Sequence, residues 1–139
     1  MQDLAQQPSL IRGYYEALAA GVFLASACRS CGRLTFPPTV CCEHCGSWEV
    51  EPRTLSGRAT LLDASHNITP ACHPRFEPYA PYVYGHLRLE EGPIVQAVVL
   101  GVPATPQDLQ RLFERGPVAA QAEVLKTDDL PVLAFRIGG

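Results

Sequence analysis

Two CxxC pairs with ten residues between them constrain this chain more than any other feature: Cys28-Arg29-Ser30-Cys31 and Cys42-Glu43-His44-Cys45. A CxxC turn offers two thiolates from one tight knuckle, and two knuckles at this spacing can face each other across one tetrahedral ion. Gly32 and Gly46 follow the second cysteine of each pair, where the knuckle backbone needs a residue tolerant of positive φ. The spacing predicts a structural zinc site of Cys28, Cys31, Cys42 and Cys45. A redox dithiol or an iron centre uses the same thiols. Four protein thiolates leave no open position for water or substrate, so such a site is structural and not catalytic. Cys41 reads as a bystander, His44 as a knuckle residue facing solvent, and Cys72 as an isolated loop thiol.

Residues 1–9, "MQDLAQQPS", are polar and lack an apolar core for export, so a cytoplasmic location without membrane attachment is expected. In that compartment paired CxxC motifs mean metal and not disulfides. The formal net charge is −3, and the basic residues are ten arginines and a single lysine, Lys126. This balance lacks the electrostatic footprint of non-specific nucleic-acid binding. Charged residues make up 18% of the chain, below the usual figure of about 25%, which leaves apolar surface for a partner protein to cover.

Three regions follow. Residues 1–21 contain an amphipathic helix with Ser9 as its N-cap and Gly21 at its end; Leu10, Ile11, Tyr14, Tyr15 and Leu18 fall on one face. Residues 22–53 form the cysteine module, with short strands in "GVFLASAC" and "GRLTFPP". Residues 54–139 read as β: a strand in "LSGRATLLDASHNI", a long proline-rich loop "TPACHPRFEPYAP", then "YVYGHLRL" and "PIVQAVVL" joined by a turn at Glu90-Glu91-Gly92. The turn carboxylates read as solubilising charge. A short helix, "TPQDLQRLFERG", with Thr105 as N-cap and Pro106 at its first position, precedes strands "VAAQAEVLK" and "VLAFRI". Three strands, a helix and two strands is the order of the OB-fold, a five-stranded Greek-key barrel. A generic five-stranded or SH3-like barrel fits the same pattern. No phosphate-cradling glycine loop, GxSxG or HExxH is present, and His66 and His86 read as structural histidines on strands.

The stretches "YYEALAAGVFLASACRSCGRLTFPPTVCCEHCGS", "LSGRATL" and "PYVYGHLRLEEGPIVQAVVLG" together resemble the acyl-CoA-associated zinc-ribbon/OB-fold family, over roughly residues 10–137. The chain departs from the family pattern at Cys41, beside the third ligand, and at Ala59, where a second glycine is usual. The resemblance implies a mostly β protein: an N-terminal helix, a rubredoxin-like zinc ribbon, then an OB-fold barrel. It also implies a non-catalytic accessory subunit in a hetero-oligomer, such as two of each chain. The implied partner is a thiolase-superfamily enzyme that makes or breaks a carbon–carbon bond in an acyl-CoA thioester. A hot-dog-fold enoyl-CoA hydratase is the alternative partner. A single-stranded nucleic-acid binder is the rival of another class, disfavoured by the acidic balance. Under this reading Arg29, Arg33, Arg53 and Arg58 are candidate contacts for CoA phosphates, and Tyr14, Tyr15, Phe76, Tyr79 and Tyr82 candidate partner anchors.

Overall fold

The computed structural model describes residues 10–66, 74–79, 81–128 and 130–138. They divide into two compact units, one ending at Leu55 and the other beginning at Ser56. The predicted N-cap Ser9 and the thiol Cys72 lie outside the described residues.

In the first unit the helix α1 spans Leu10–Ala19. Its buried positions are Tyr14 and Leu18, four residues apart and therefore on one face. Leu10 and Ile11, expected on that face, are exposed, Ile11 by 70%. Burial is confined to the later turns, and the first turn stands clear of the core. The ring of Tyr14 packs edge-on against Phe36 and Tyr15, with centroids 5.9 and 5.1 Å away. Burial, with a smaller contribution from Tyr15, pushes the Tyr14 hydroxyl up to about 12.

The helix is followed by β1 (Phe23–Cys28), β2 (Leu34–Thr35) and β3 (Val50–Leu55), which form an antiparallel sheet in the order β2-β1-β3. The sequence reading missed β3. Its "VEPRTL" has three exposed residues in a row and a proline opposite Ser26, features that argue against a central strand. An edge strand tolerates both, because proline removes only one ladder bond there.

The second unit contains β4 (Arg58–Leu61), β5 (Ser65–His66), a short 3-10 helix (Pro74–Tyr79), β6 (Val83–Leu89), β7 (Ile94–Leu100), α2 (Pro106–Glu114), β8 (Val118–Leu125) and β9 (Val132–Ile137). Strand pairings close a ring, β4–β6–β7–β9–β8–β4, in which only β7 and β9 run parallel. This is OB-fold connectivity, a closed loop of pairings with α2 between its third and fourth long strands. Along β6, Val83, Gly85, Leu87 and Leu89 are buried and alternate with outward Tyr84, His86 and Arg88. Leu87 and Phe135 are among the most deeply buried side chains. The Thr105 hydroxyl caps α2 by accepting from the Asp108 amide at 3.2 Å.

The first barrel strand is not continuous, contrary to the sequence reading. It breaks between Leu61 and Ser65, and both pieces pair with β6. At the break the backbone comes down onto Gly85, where an added Cβ would sit 2.1 Å from the Asp63 carbonyl oxygen. The charged turn also differs from its reading. Glu91 Oε2 accepts from the Ser56 amide and Glu90 Oε2 from the Ser56 hydroxyl, each at 2.8 Å. These carboxylates hold Ser56, by its amide and its hydroxyl, at the entry to β4.

Within the proline-rich segment, the described residues 74–79 pack on their own unit. Val98, Leu125 and Ala134 form a cluster against which Phe76, Tyr79, Tyr82, Leu100 and Val132 pack. Val98 pairs with the outward-facing Tyr84, so this cluster lies on the outside of the ring. The Tyr79 hydroxyl donates to the Lys126 carbonyl at 2.7 Å. Gly85→Ala is expected to destabilise the second unit by about 1–3 kcal/mol, because the neighbouring atom is backbone and cannot rotate away. Urea denaturation of the purified variant measures this; an unchanged midpoint would contradict the close approach.

Candidate metal centre

Each knuckle is a copy of the other at backbone level. Gly32 N–H donates to the Cys28 carbonyl at 3.0 Å, and Gly46 N–H to the Cys42 carbonyl at 2.9 Å. The next bond out runs from Cys28 N–H to the Arg33 carbonyl, matched by Cys42 N–H to the Ser47 carbonyl. Gly32 and Gly46 have φ of 77° and 78°, a conformation a Cβ would strain. The hydroxyls of Ser30 and Ser47 meet at 3.0 Å and tie the two knuckles together.

These turns bring the sulfurs of Cys28, Cys31, Cys42 and Cys45 within 4.8 Å of one another. Two of the separations, Cys28 to Cys45 and Cys31 to Cys42, are 3.6 Å. A tetrahedral zinc with bonds of about 2.3 Å needs sulfurs roughly 3.8 Å apart, so the donor set and its spacing fit zinc. Backbone amides also point at the sulfurs: Cys31 N–H at Cys28 Sγ, 3.4 Å, and His44 N–H at Cys42 Sγ, 3.3 Å. The Cys31 amide is the main reason that the Cys28 thiol is lowered to about 6. The Ser47 amide lowers Cys45, but proton sharing with Cys28 and burial outweigh it and push that thiol up to about 11. A cation binding here therefore displaces protons, Cys45's among them.

Of the other sequence candidates, His44 is an exposed residue, as expected, although its ring turns back onto the ribbon. Its Nε2 donates to the Leu34 carbonyl at 3.0 Å and lies 3.3 Å from Glu43. Cys41 is half-buried and outside the sulfur cluster. Arg29 and Arg53 converge on one carboxylate, Glu51, at 3.1 and 3.9 Å. Arg58 pairs with Glu90 at 2.8 Å, which holds the Glu90 carboxyl below its usual range. Arg33 is exposed. Tyr14 is buried, and Tyr15, Phe76, Tyr79 and Tyr82 are half-buried in their own units. The sequence reading also missed the partner of His86: Asp63 accepts from its Nδ1 at 3.1 Å and its amide at 3.0 Å. Those bonds, the amide's foremost, lower the Asp63 carboxyl. Nothing in the spacing of Asp63 and His86 signalled this, because it depends on the break between β4 and β5.

Chelation or Cys45→Ser is expected to unfold the first unit. Metal ligation contributes on the order of 10–16 kcal/mol to folding such modules, as much as a typical domain's whole stability. Zinc analysis with circular dichroism checks this, and a folded, metal-free Cys45→Ser protein would refute it. Acid should also release the metal, since protons compete for the thiolates, whereas mild alkali should tighten it. Metal content after dialysis across a pH series reads the sign directly.

Comparison with known proteins places these features in one family. Residues 16–51 match the model described as "ChsH2, rubredoxin-like zinc ribbon domain", and residues 52–112 match "ChsH2, C-terminal OB-fold domain". A DUF35 domain-containing scaffold protein of Pyrococcus furiosus is 29% identical over 105 residues, 76% of this chain and 74% of that protein. A probable enoyl-CoA hydratase alpha subunit of Thermomonospora curvata is 30% identical over 91 residues, 64% of this chain; the match spans 27% of that subunit's length. Among solved structures, an Ltp2-ChsH2(DUF35) aldolase chain superposes with a TM-score of 0.70 at 25% identity, covering 90% of this chain and 91% of that one. A DUF35-family protein of Sulfolobus solfataricus shares the fold, with a TM-score of 0.55 at 16% identity and coverage of 97% and 90%. With its four cysteines placed to bind zinc and its OB-fold strand order, the chain belongs to the ChsH2-type, or DUF35, zinc-ribbon/OB-fold family.

Proposed function

We propose that this chain is a non-catalytic accessory subunit of a thiolase-superfamily enzyme that cleaves or forms a carbon–carbon bond in an acyl-CoA thioester. The observation that carries the reading is its likeness, over nine-tenths of its length, to a chain of an Ltp2-ChsH2(DUF35) aldolase. The chemistry of the metal centre agrees with it. Four cysteine ligands saturate a tetrahedral zinc, which then serves to hold the ribbon and has no position for substrate. In the assembly the partner supplies the reacting groups, and this chain supplies a rigid surface.

Exposed apolar side chains join the aromatic residues as candidate contacts. Tyr14 packs within the first unit, and Phe76, Tyr79 and Tyr82 pack within the second. Among the described residues of the first unit, the large apolar side chains left exposed are Leu10, Ile11, Val40 and Trp48, at 37%, 70%, 56% and 75%. Exposed apolar side chains of this size, Trp48 above all, suit burial at a protein interface. CoA phosphate contact by Arg29 or Arg53 would compete with Glu51, and by Arg58 with Glu90.

A hot-dog-fold hydratase partner is the second reading, favoured by the similarity to the Thermomonospora curvata hydratase subunit. Tagged chain purified at native expression is expected to bring down a thiolase-superfamily polypeptide at near-equal stoichiometry. The pair should cleave its acyl-CoA, and neither polypeptide alone should do so at a comparable rate. Recovery of a hot-dog-fold polypeptide would move the conclusion to the hydratase. A lone chain, or one that turns over acyl-CoA unaided, would contradict the accessory role.

A further inference from the structure

The four cysteines of the metal centre differ in their access to solvent. Cys28 and Cys42, the first of each knuckle, are buried, whereas Cys31 and Cys45 are exposed. Each exposed cysteine meets a buried one of the opposite knuckle. Cys45 Sγ lies 3.6 Å from Cys28 Sγ, and Cys31 Sγ lies 3.6 Å from Cys42 Sγ. Backbone amides hold the two buried sulfurs in place, Cys31 N–H at Cys28 Sγ and His44 N–H at Cys42 Sγ. The Ser30 and Ser47 hydroxyls, 3.0 Å apart, keep the two turns together. Cys41 is half-buried and outside the sulfur cluster, so it is not placed to pair with any of the four.

We propose that the metal centre is also a peroxide-sensitive switch, in which oxidation joins Cys28 to Cys45 and Cys31 to Cys42 and expels the zinc. A peroxide oxidises the thiolates that it can reach, here Cys45 and Cys31. In the first step the Cys45 sulfur attacks one oxygen of hydrogen peroxide. The O–O bond breaks, hydroxide leaves, and Cys45 becomes a sulfenic acid. In the second step the Cys28 sulfur attacks the Cys45 sulfur, the S–O bond breaks, and a second hydroxide leaves. The two thiolates have then given up two electrons in all, and the peroxide has taken them. The sulfurs close from 3.6 Å to a bond of about 2.05 Å. A bridge inside one knuckle would have to draw together two sulfurs that both turn toward the other knuckle. Disulfide sulfur is neutral and a poor ligand, so the remaining thiolate pair is too few to keep a tetrahedral zinc. The same two steps, with a second peroxide, then join Cys31 to Cys42.

Stepwise addition of hydrogen peroxide to the zinc-loaded full chain tests this. A chromogenic chelator follows zinc release, and peptide mass spectrometry after acid quenching and alkylation maps the bridges. Complete loss of the bound zinc is expected, together with Cys28–Cys45 and Cys31–Cys42 linked peptides. Dithiothreitol with added zinc should restore the loaded form. Cys41→Ser should release zinc at the wild-type rate, within about twofold, because that thiol lies outside the cluster. Thiol oxidation that leaves the zinc bound overturns the proposal. So does zinc release with bridges inside a knuckle, with bridges to Cys41 or Cys72, or with sulfinic acids and no bridge. A Cys41→Ser chain that keeps its zinc under peroxide overturns it as well.

Discussion

Four sulfurs held within 4.8 Å of one another govern the first unit. Thiols at that spacing are unfavourable as a set of anions without a cation among them, because each ionised sulfur raises the cost of ionising the next. The Cys31 amide lowers Cys28 to about 6, while Cys45, despite the Ser47 amide, is raised to about 11 by its hydrogen bond with Cys28 and by burial. A zinc ion among the four would offset the repulsion between thiolates. The same ion fixes both knuckles, and with them the β1–β2 hairpin and the segment running into β3. A three-stranded sheet with a two-residue strand has little else to hold it, since a core this small rarely sustains itself.

The second unit relies on different physics. Its strands close on themselves, which leaves little unpaired edge, and its interior is filled by aliphatic side chains and Phe135. Its polar contacts sit at the joints. Glu90 and Glu91 hold Ser56 at the start of β4, and Asp63 holds His86 where that strand breaks. Such joints shape a scaffold.

Local rules made the metal centre and most of the barrel legible in the sequence. The cysteine spacing and its two glycines act within a few residues, and so does the alternation that marks Val83–Leu89. The cap of α2 is equally local, with Thr105, Pro106 and Asp108 in adjacent turns. What escaped depends on distant partners. The strand Val50–Leu55 forms because β1 offers it an edge, and its own residues, Pro52 among them, argue against it. Aromatic residues suit interfaces and cores alike, and the contacts of Tyr14 with Phe36 and of Tyr79 with Lys126 within their own units carried no sequence signal.

A structural metal has no role in the reaction itself, so its coordination shell should not respond to substrate. X-ray absorption at the zinc edge, on the native complex before and after adding acyl-CoA, tests it most directly. Four sulfur neighbours at about 2.3 Å are expected in both states, with no change on substrate addition. A nitrogen or oxygen ligand, or a coordination shell that alters when substrate binds, would contradict it.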